Sequence, residues 1–268
     1  MDVLDEIMVP FRWLVSVVMV GFHDALGAIG MPPADGWTWT MSIIGLVLVI
    51  RAAMIPVFLK QLDAQRRMRL LQPDLKELQE KYNGKTDALS RQAMAEEQMA
   101  LYGKHGTNPF SACLPVLIQV PFFLALFQVL SGISTSARRE QGIGAMSHAQ
   151  VLQFDQSRIF DAPLSASVLH GSDGNHTAVA VLTLLMILVM IAAQFIAQKR
   201  IMARSDAAGA PEGPFMRQQK LILYILPVVF GLGGILFPIG VLVYWTVTNL
   251  WTMAQQLLVR GRRTSGTA

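Results

Sequence analysis

Residues 38–59 read TWTMSIIGLVLVIRAAMIPVFL, and Arg51 is the only charged residue among them. At about 1.5 Å per helical residue, a stretch of this length crosses a hydrocarbon core of about 30 Å. Trp37 and Trp39 stand at its start, where an aromatic belt anchors a span. The stretch therefore reads as the first span of an all-α integral membrane protein.

Composition agrees. Of the 268 residues, 53% are hydrophobic and 15% charged, well under the roughly 25% charged of a soluble domain. The apolar residues also gather in long blocks. Further spans read at 109–130, 177–198, 221–236 and 237–258, giving five transmembrane helices. Pro115 and Pro121 lie inside the second and should bend it. The fourth is short, reaching about 24 Å at helical rise, so it thins the bilayer or crosses incompletely.

Segment 7–31 is apolar but interrupted by Pro10, Arg12, His23 and Asp24. It suits an amphipathic helix lying in the interface, a true span being the competing reading. Residues 1–37 are thus assigned to an extracytoplasmic interfacial segment. Its acidic start is unlike a cleaved signal peptide, although a signal anchor stays open. Residues 60–108 are charged and rich in Gln and Met. Leu71, Leu75, Leu78 and Tyr82 recur at helical spacing, Asn83-Gly84-Lys85 turns, and Thr86 caps a return helix. This predicts a helical hairpin. Asn108 and Pro109 open the next helix. Residues 131–176 form an extracytoplasmic loop with a short helix near 145–154, 199–220 a basic loop, and 259–268 a tail.

Of 22 Lys and Arg residues, 17 fall in 60–108, 199–220 and 259–268. These share one side only with five spans and the N-terminus on the other. By the positive-inside rule that side is the cytoplasm, so the N-terminus is extracytoplasmic and the C-terminus cytoplasmic.

Arg51 is the sharpest chemical feature. A buried Arg costs about 2.5–3.5 kcal/mol on insertion scales, and none of the five spans contains an Asp or Glu. Water in a cavity open to the cytoplasm would solvate it, and so would snorkelling to headgroups. Gln119, Gln194 and Gln198 add polar groups in the second and third spans. Trp245, Asn249, Thr252 and Gln256 follow i, i+4, i+7, i+11 on one face of the last. Such a stripe should face water or protein, not lipid.

No phosphate loop, His-Glu-x-x-His or Gly-x-Ser-x-Gly occurs, and the five His lie outside the spans. Cys113 is a single cysteine, read as a packing residue. No enzyme, metal site, cofactor or nucleic-acid recognition is expected. A small-solute channel or transporter and a lipid-scrambling groove protein are alternatives, but neither needs the hairpin.

The run Ile50-Arg51-Ala52-Ala53-Met54-Ile55-Pro56, then Arg69-Leu70-Leu71-Gln72-Pro73, Ala100-Leu101-Tyr102, Asn108-Pro109-Phe110, Leu114 to Phe123, and Phe237-Pro238-Ile239-Gly240 leading to Leu242 to Leu250, resembles the YidC/Oxa/Alb family of membrane protein insertases. The resemblance covers roughly residues 10–260. It implies five spans, a cytoplasmic hairpin, an outer amphipathic helix, and a hydrophilic groove closed to the outside. Substrates would be nascent membrane proteins, with the ribosome, the Sec translocon and lipids as partners. Arg51 matches the groove arginine, Trp245 the aromatic position, and Gln194 or Gln198 a polar one. Val47, one turn before Arg51, departs from relatives that are polar there. The short lead before the first span implies a form without a large extracytoplasmic domain.

Overall fold

The structure is a computed structural model that describes residues 3–85, 87–106, 114–169, 175–206, 225, 229 and 231–261. The expected starts at Asn108 and Pro109, Cys113, most of segment 199–220 and half of segment 221–236 lie outside these. The chain forms two compact units, one of residues 1–52, 119–198 and 223–268, the other of 53–118 and 199–222.

The first unit holds α1 (Val3–Ala28) and α2 (Gly36–Ala53). Between them Gly30 takes a left-handed φ of 100° ahead of the two prolines. Met8, Val15, Ser16, Met19 and His23 form the buried face of α1, whereas Ile7, Val9, Trp13 and Leu14 are exposed. His23 stacks on Trp39 with ring centroids 3.9 Å apart, and its Nε2 lies 2.9 Å from the Pro33 carbonyl. Close helix approach depends on Gly45, because a Cβ there would meet the Phe22 ring at 2.6 Å.

The remaining helices are α6 (Leu114–Arg138), α7 (His148–Gln156), α8 (His176–Asp206) and α9 (Ile239–Gly261). Pro121 lies within α6, but Pro115 falls in its first turn, where a missing N–H costs nothing. Ser147 and Gln150 close a capping box that starts α7. A two-residue hairpin, β1 (Arg158–Ile159) with β2 (Ala162–Pro163), follows. The carbonyls of Leu164 and Ala166 accept the N–H groups of Gly240 and Ile239, each at 2.9 Å, satisfying the opening donors of α9. Trp39, Leu126, Leu130, Phe154, Leu164, Leu242 and Tyr244 pack in one shared core.

Among the described residues, four helices are long and apolar enough to cross a membrane: Asp5–Ala28, Gly36–Ala53, Leu117–Arg138 and His176–Arg200. Helix α9 is not among them, since its Thr, Asn and Gln residues dilute its apolar content. The first span differs from its expected 38–59. A break at Met54 ends α2, because Pro56 has no N–H for the Ala52 carbonyl.

The second unit contains α3 (Ile55–Leu70), α4 (Gln72–Lys81) and α5 (Ala88–Lys104). The first arm of the expected hairpin is therefore two helices, broken at Leu71, since Pro73 cannot donate to the Arg69 carbonyl. The cap of α5 is Asp87, whose carboxylate accepts from Ser90 N at 2.8 Å, and not the expected Thr86, itself outside the described residues. Helices α4 and α5 run antiparallel. Lys81 Nζ donates to both Glu97 oxygens at 2.7 Å, the Tyr82 hydroxyl donates to Glu97 at 2.9 Å, and His105 Nε2 lies 3.4 Å from Asp74.

Two predictions follow from these contacts. A Cβ at Gly36 would collide with the Arg158 carbonyl, so Gly36→Ala should destabilise the first unit by about 1–3 kcal/mol in detergent unfolding. In the hairpin, the hydrogen bonds from Lys81 and then Tyr82 hold the Glu97 carboxyl below its usual range. That contribution is present above the usual carboxylate range and is lost as pH falls through the lowered value. The bond to Glu97 raises Lys81, so its contribution is present below the usual lysine range and is lost as pH rises through the raised value. Amide protection factors for residues 76–82 and 92–98 should hold at neutral pH and fall at both extremes. A Glu97→Gln chain should lose most of this dependence.

Candidate functional site

Arg51 stands in the last turn of α2, half-buried. Fifteen residues separate it from Gly36, so it lies about 22 Å along the helix from its start. Its Nη2 donates to the Thr248 carbonyl of α9 at 3.5 Å, the outer limit of a hydrogen bond. The Nε is buried without a partner. Among the described residues no carboxylate forms an ion pair with Arg51.

Helix α9 supplies most of the surroundings. Gln194 of α8 donates to Asn249 Oδ1 at 2.9 Å, and Asn249 Nδ2 donates to the Trp245 carbonyl at 2.9 Å. Gln198 leaves its Oε1 buried and unpartnered, so Gln194 is the glutamine that reaches α9. Gln119 of α6 donates to the Tyr244 hydroxyl at 3.3 Å. Trp245 stacks on Phe123 with centroids 5.3 Å apart and planes at 11°, and meets Phe237 edge-on at 5.0 Å.

The helical pattern sorts these groups along the axis. Phe123, Phe127, Phe237, Tyr244 and Trp245 crowd the N-terminal half of α9. One turn further along, Thr248, Asn249 and Thr252 occupy the middle of α9, where Arg51 of α2 meets the Thr248 carbonyl. The Thr252 hydroxyl donates to the same Thr248 carbonyl at 2.9 Å that Arg51 uses. The sequence pattern missed Thr248 and Tyr244. Thr248 lies three residues after Trp245 and four before Thr252, a spacing that places it on the polar face. Val47, the apolar departure before Arg51, is buried in the core.

Among the described residues, α2, α8 and α9 carry seven buried polar atoms without a protein partner: Trp39 Nε1 and Arg51 Nε on α2, Thr183 Oγ1 and Gln198 Oε1 on α8, and Thr246 Oγ1, Thr248 Oγ1 and Trp251 Nε1 on α9. In hydrocarbon each such atom costs several kcal/mol. Among the described residues, His, Cys, Asp and Glu nowhere gather in threes as metal ligands.

Residues 32–265 match the family model described as 60Kd inner membrane protein. The chain belongs to that family. The resemblance carried by the motifs around Arg51, Pro121 and Trp245 is thereby shown. This family member is 41% identical over 267 residues to the membrane protein insertase YidC of Streptomyces avermitilis, covering 97% of this chain and 59% of that protein. It thus spans about three-fifths of that relative's length. It is 38% identical to the membrane protein insertase YidC of Tropheryma whipplei strain Twist, over 98% of this chain and 86% of that one. The corresponding protein of Mycobacterium tuberculosis H37Rv is 34% identical over 96% and 73%. With its long apolar helices, this 60Kd-family chain is a multi-pass bacterial membrane protein.

The Gln194–Asn249 bond joins α8 to α9 within the apolar part of the fold. Interhelical pairs of this kind average about 0.6 kcal/mol in a membrane. A double-mutant cycle of Gln194→Ala and Asn249→Ala, read by unfolding in bicelles, should return a coupling of that order. The cycle Gln198→Ala with Asn249→Ala should return none.

Proposed function

We propose that this protein is a membrane protein insertase that moves short polar tails of nascent membrane proteins across the bilayer through a hydrophilic groove. One observation carries the reading: among the described residues the half-buried Arg51 guanidinium pairs with no carboxylate and leaves its Nε unpartnered, and α9, which supplies its carbonyl acceptor, holds further buried polar atoms without partners. Such groups are stable at membrane depth only where water or a passing polar chain supplies the missing bonds. The relatives' names point to the same activity.

The physics of the step is simple. A substrate with one apolar span must carry a polar tail through about 30 Å of hydrocarbon. A groove open to the cytoplasm, formed by Arg51, Gln119, Gln194, Gln198, Trp245 and Asn249, shortens the dry part of that path. Arg51 attracts acidic residues of the tail. The aromatic half of α9 and the loop carbonyls bonded to Ile239 and Gly240 support closure at the opposite face. The substrate's apolar helix then leaves sideways into lipid, where burial of its surface is strongly favourable. No nucleotide or metal enters the step.

The topology that suits this mechanism has five spans, with 221–236 and 237–258 as the last two. The N-terminus and α1 lie on the extracytoplasmic side, α1 in the interface. The α4–α5 hairpin and the C-terminus lie in the cytoplasm. The hairpin then receives nascent chains from the ribosome, and the Sec translocon is a further partner. A channel or transporter would have no use for the hairpin.

Arg51→Ala and Arg51→Lys chains, expressed in cells depleted of their own insertase, test the role of the guanidinium. Insertion of a substrate with an acidic tail should fall several-fold with Ala and largely survive with Lys. Insertion of a neutral-tailed substrate should change little. Full insertion of the acidic tail by the Ala chain would sink the proposed role of Arg51.

A further inference from the structure

The turn between β1 and β2 consists of Phe160, at φ 48°, and Asp161, at φ 66°. Two left-handed residues in succession suit Asn-Gly or Asp-Gly, and a bulky aromatic side chain there is a genuine outlier. Asp161 finds local support. Asn175 Nδ2 donates to its carboxylate at 3.2 Å, and the Arg158 guanidinium lies 3.9 Å away. Phe160 does not gain comparable burial, because its side chain is 70% exposed. Its ring meets the edge of Trp37 at 5.5 Å, and Trp37 is itself 40% exposed. An unfavourable backbone and an unburied ring together call for a surface outside the protein.

The height of this tip is fixed. Gly36, the first residue of α2, approaches the Arg158 backbone so closely that a Cβ would strike its carbonyl. Just beyond the hairpin, the Leu164 and Ala166 carbonyls hold the first turn of α9. The tip is therefore pinned at the level where α2 begins, and α2 is long and apolar enough to cross a membrane. That level is the boundary between headgroups and hydrocarbon, where aromatic side chains are preferred. The charged Arg158 and Asp161 flank the pair, as a headgroup layer requires.

We propose that Phe160 and Trp37 form a lipid anchor, seated in the carbonyl layer of the leaflet at the N-terminal end of α2. Because the hairpin is fixed to both α2 and α9, the anchor sets how deep those helices sit, and with them Arg51. This rests on the spans alone and not on the insertase reading, so failure of either leaves the other standing.

The test is a nitroxide at position 160 (Phe160→Cys in a Cys113→Ser chain), in vesicles of phosphatidylcholine and phosphatidylglycerol. Oxygen should relax the label more than a water-soluble nickel chelate does, matching a control label at Leu188, exposed on the apolar α8, and opposite to one at Leu89 on α5. A label more accessible to the chelate overturns the anchor. So does one shielded from both reagents, which would mean that protein covers the tip. In a second chain the label stands at position 37 with Phe160→Asn, a residue that tolerates the left-handed turn. That label should shift toward the chelate relative to its Phe160 parent, and an unchanged depth overturns the pairing.

Discussion

A guanidinium placed among membrane helices without an acidic partner must find its hydrogen bonds elsewhere, and much of this fold follows from where Arg51 finds them. One comes from the Thr248 carbonyl, at the limit of bonding distance. Its Nε is buried without a partner, and so are the Thr246 and Thr248 hydroxyls of α9. A carboxylate in place would satisfy the charge and close the site to newcomers. Among the described residues none does so, and the guanidinium keeps donors to spare.

The opposite end of the same helix is built on the contrary rule. Around the first turns of α9, donors are satisfied by the Leu164 and Ala166 carbonyls, and the neighbouring space is filled by stacked and edge-on aromatic rings. Phe154 packs under Gly240 and against Trp39, so α7 belongs to this sealed end. One helix thus passes from a start packed in aromatic rings to a stretch rich in polar side chains within a few turns.

Much of this was legible in the residues themselves. Apolar blocks of span length stand out because hydrocarbon tolerates little else, and Arg51 stands out against them. Other features left weaker traces. The breaks at Met54 and Leu71 were encoded by Pro56 and Pro73, but long apolar or amphipathic runs masked them. Asp87 and Thr86 are both good caps, and only the geometry chose between them. The β1–β2 hairpin is too short for alternation to register. Spacing puts Thr248 on the polar face of α9, but the acceptor it offers Arg51 is its backbone carbonyl, a group every residue carries, so the contact itself left no trace in the side-chain pattern.

The crowding at that carbonyl has an energetic side. Thr252 already donates to the Thr248 oxygen at 2.9 Å, so Arg51 competes for a lone pair partly spent. A cation held so loosely gives up little protein bonding when an anion pairs with it, so its unspent donors are easily redirected.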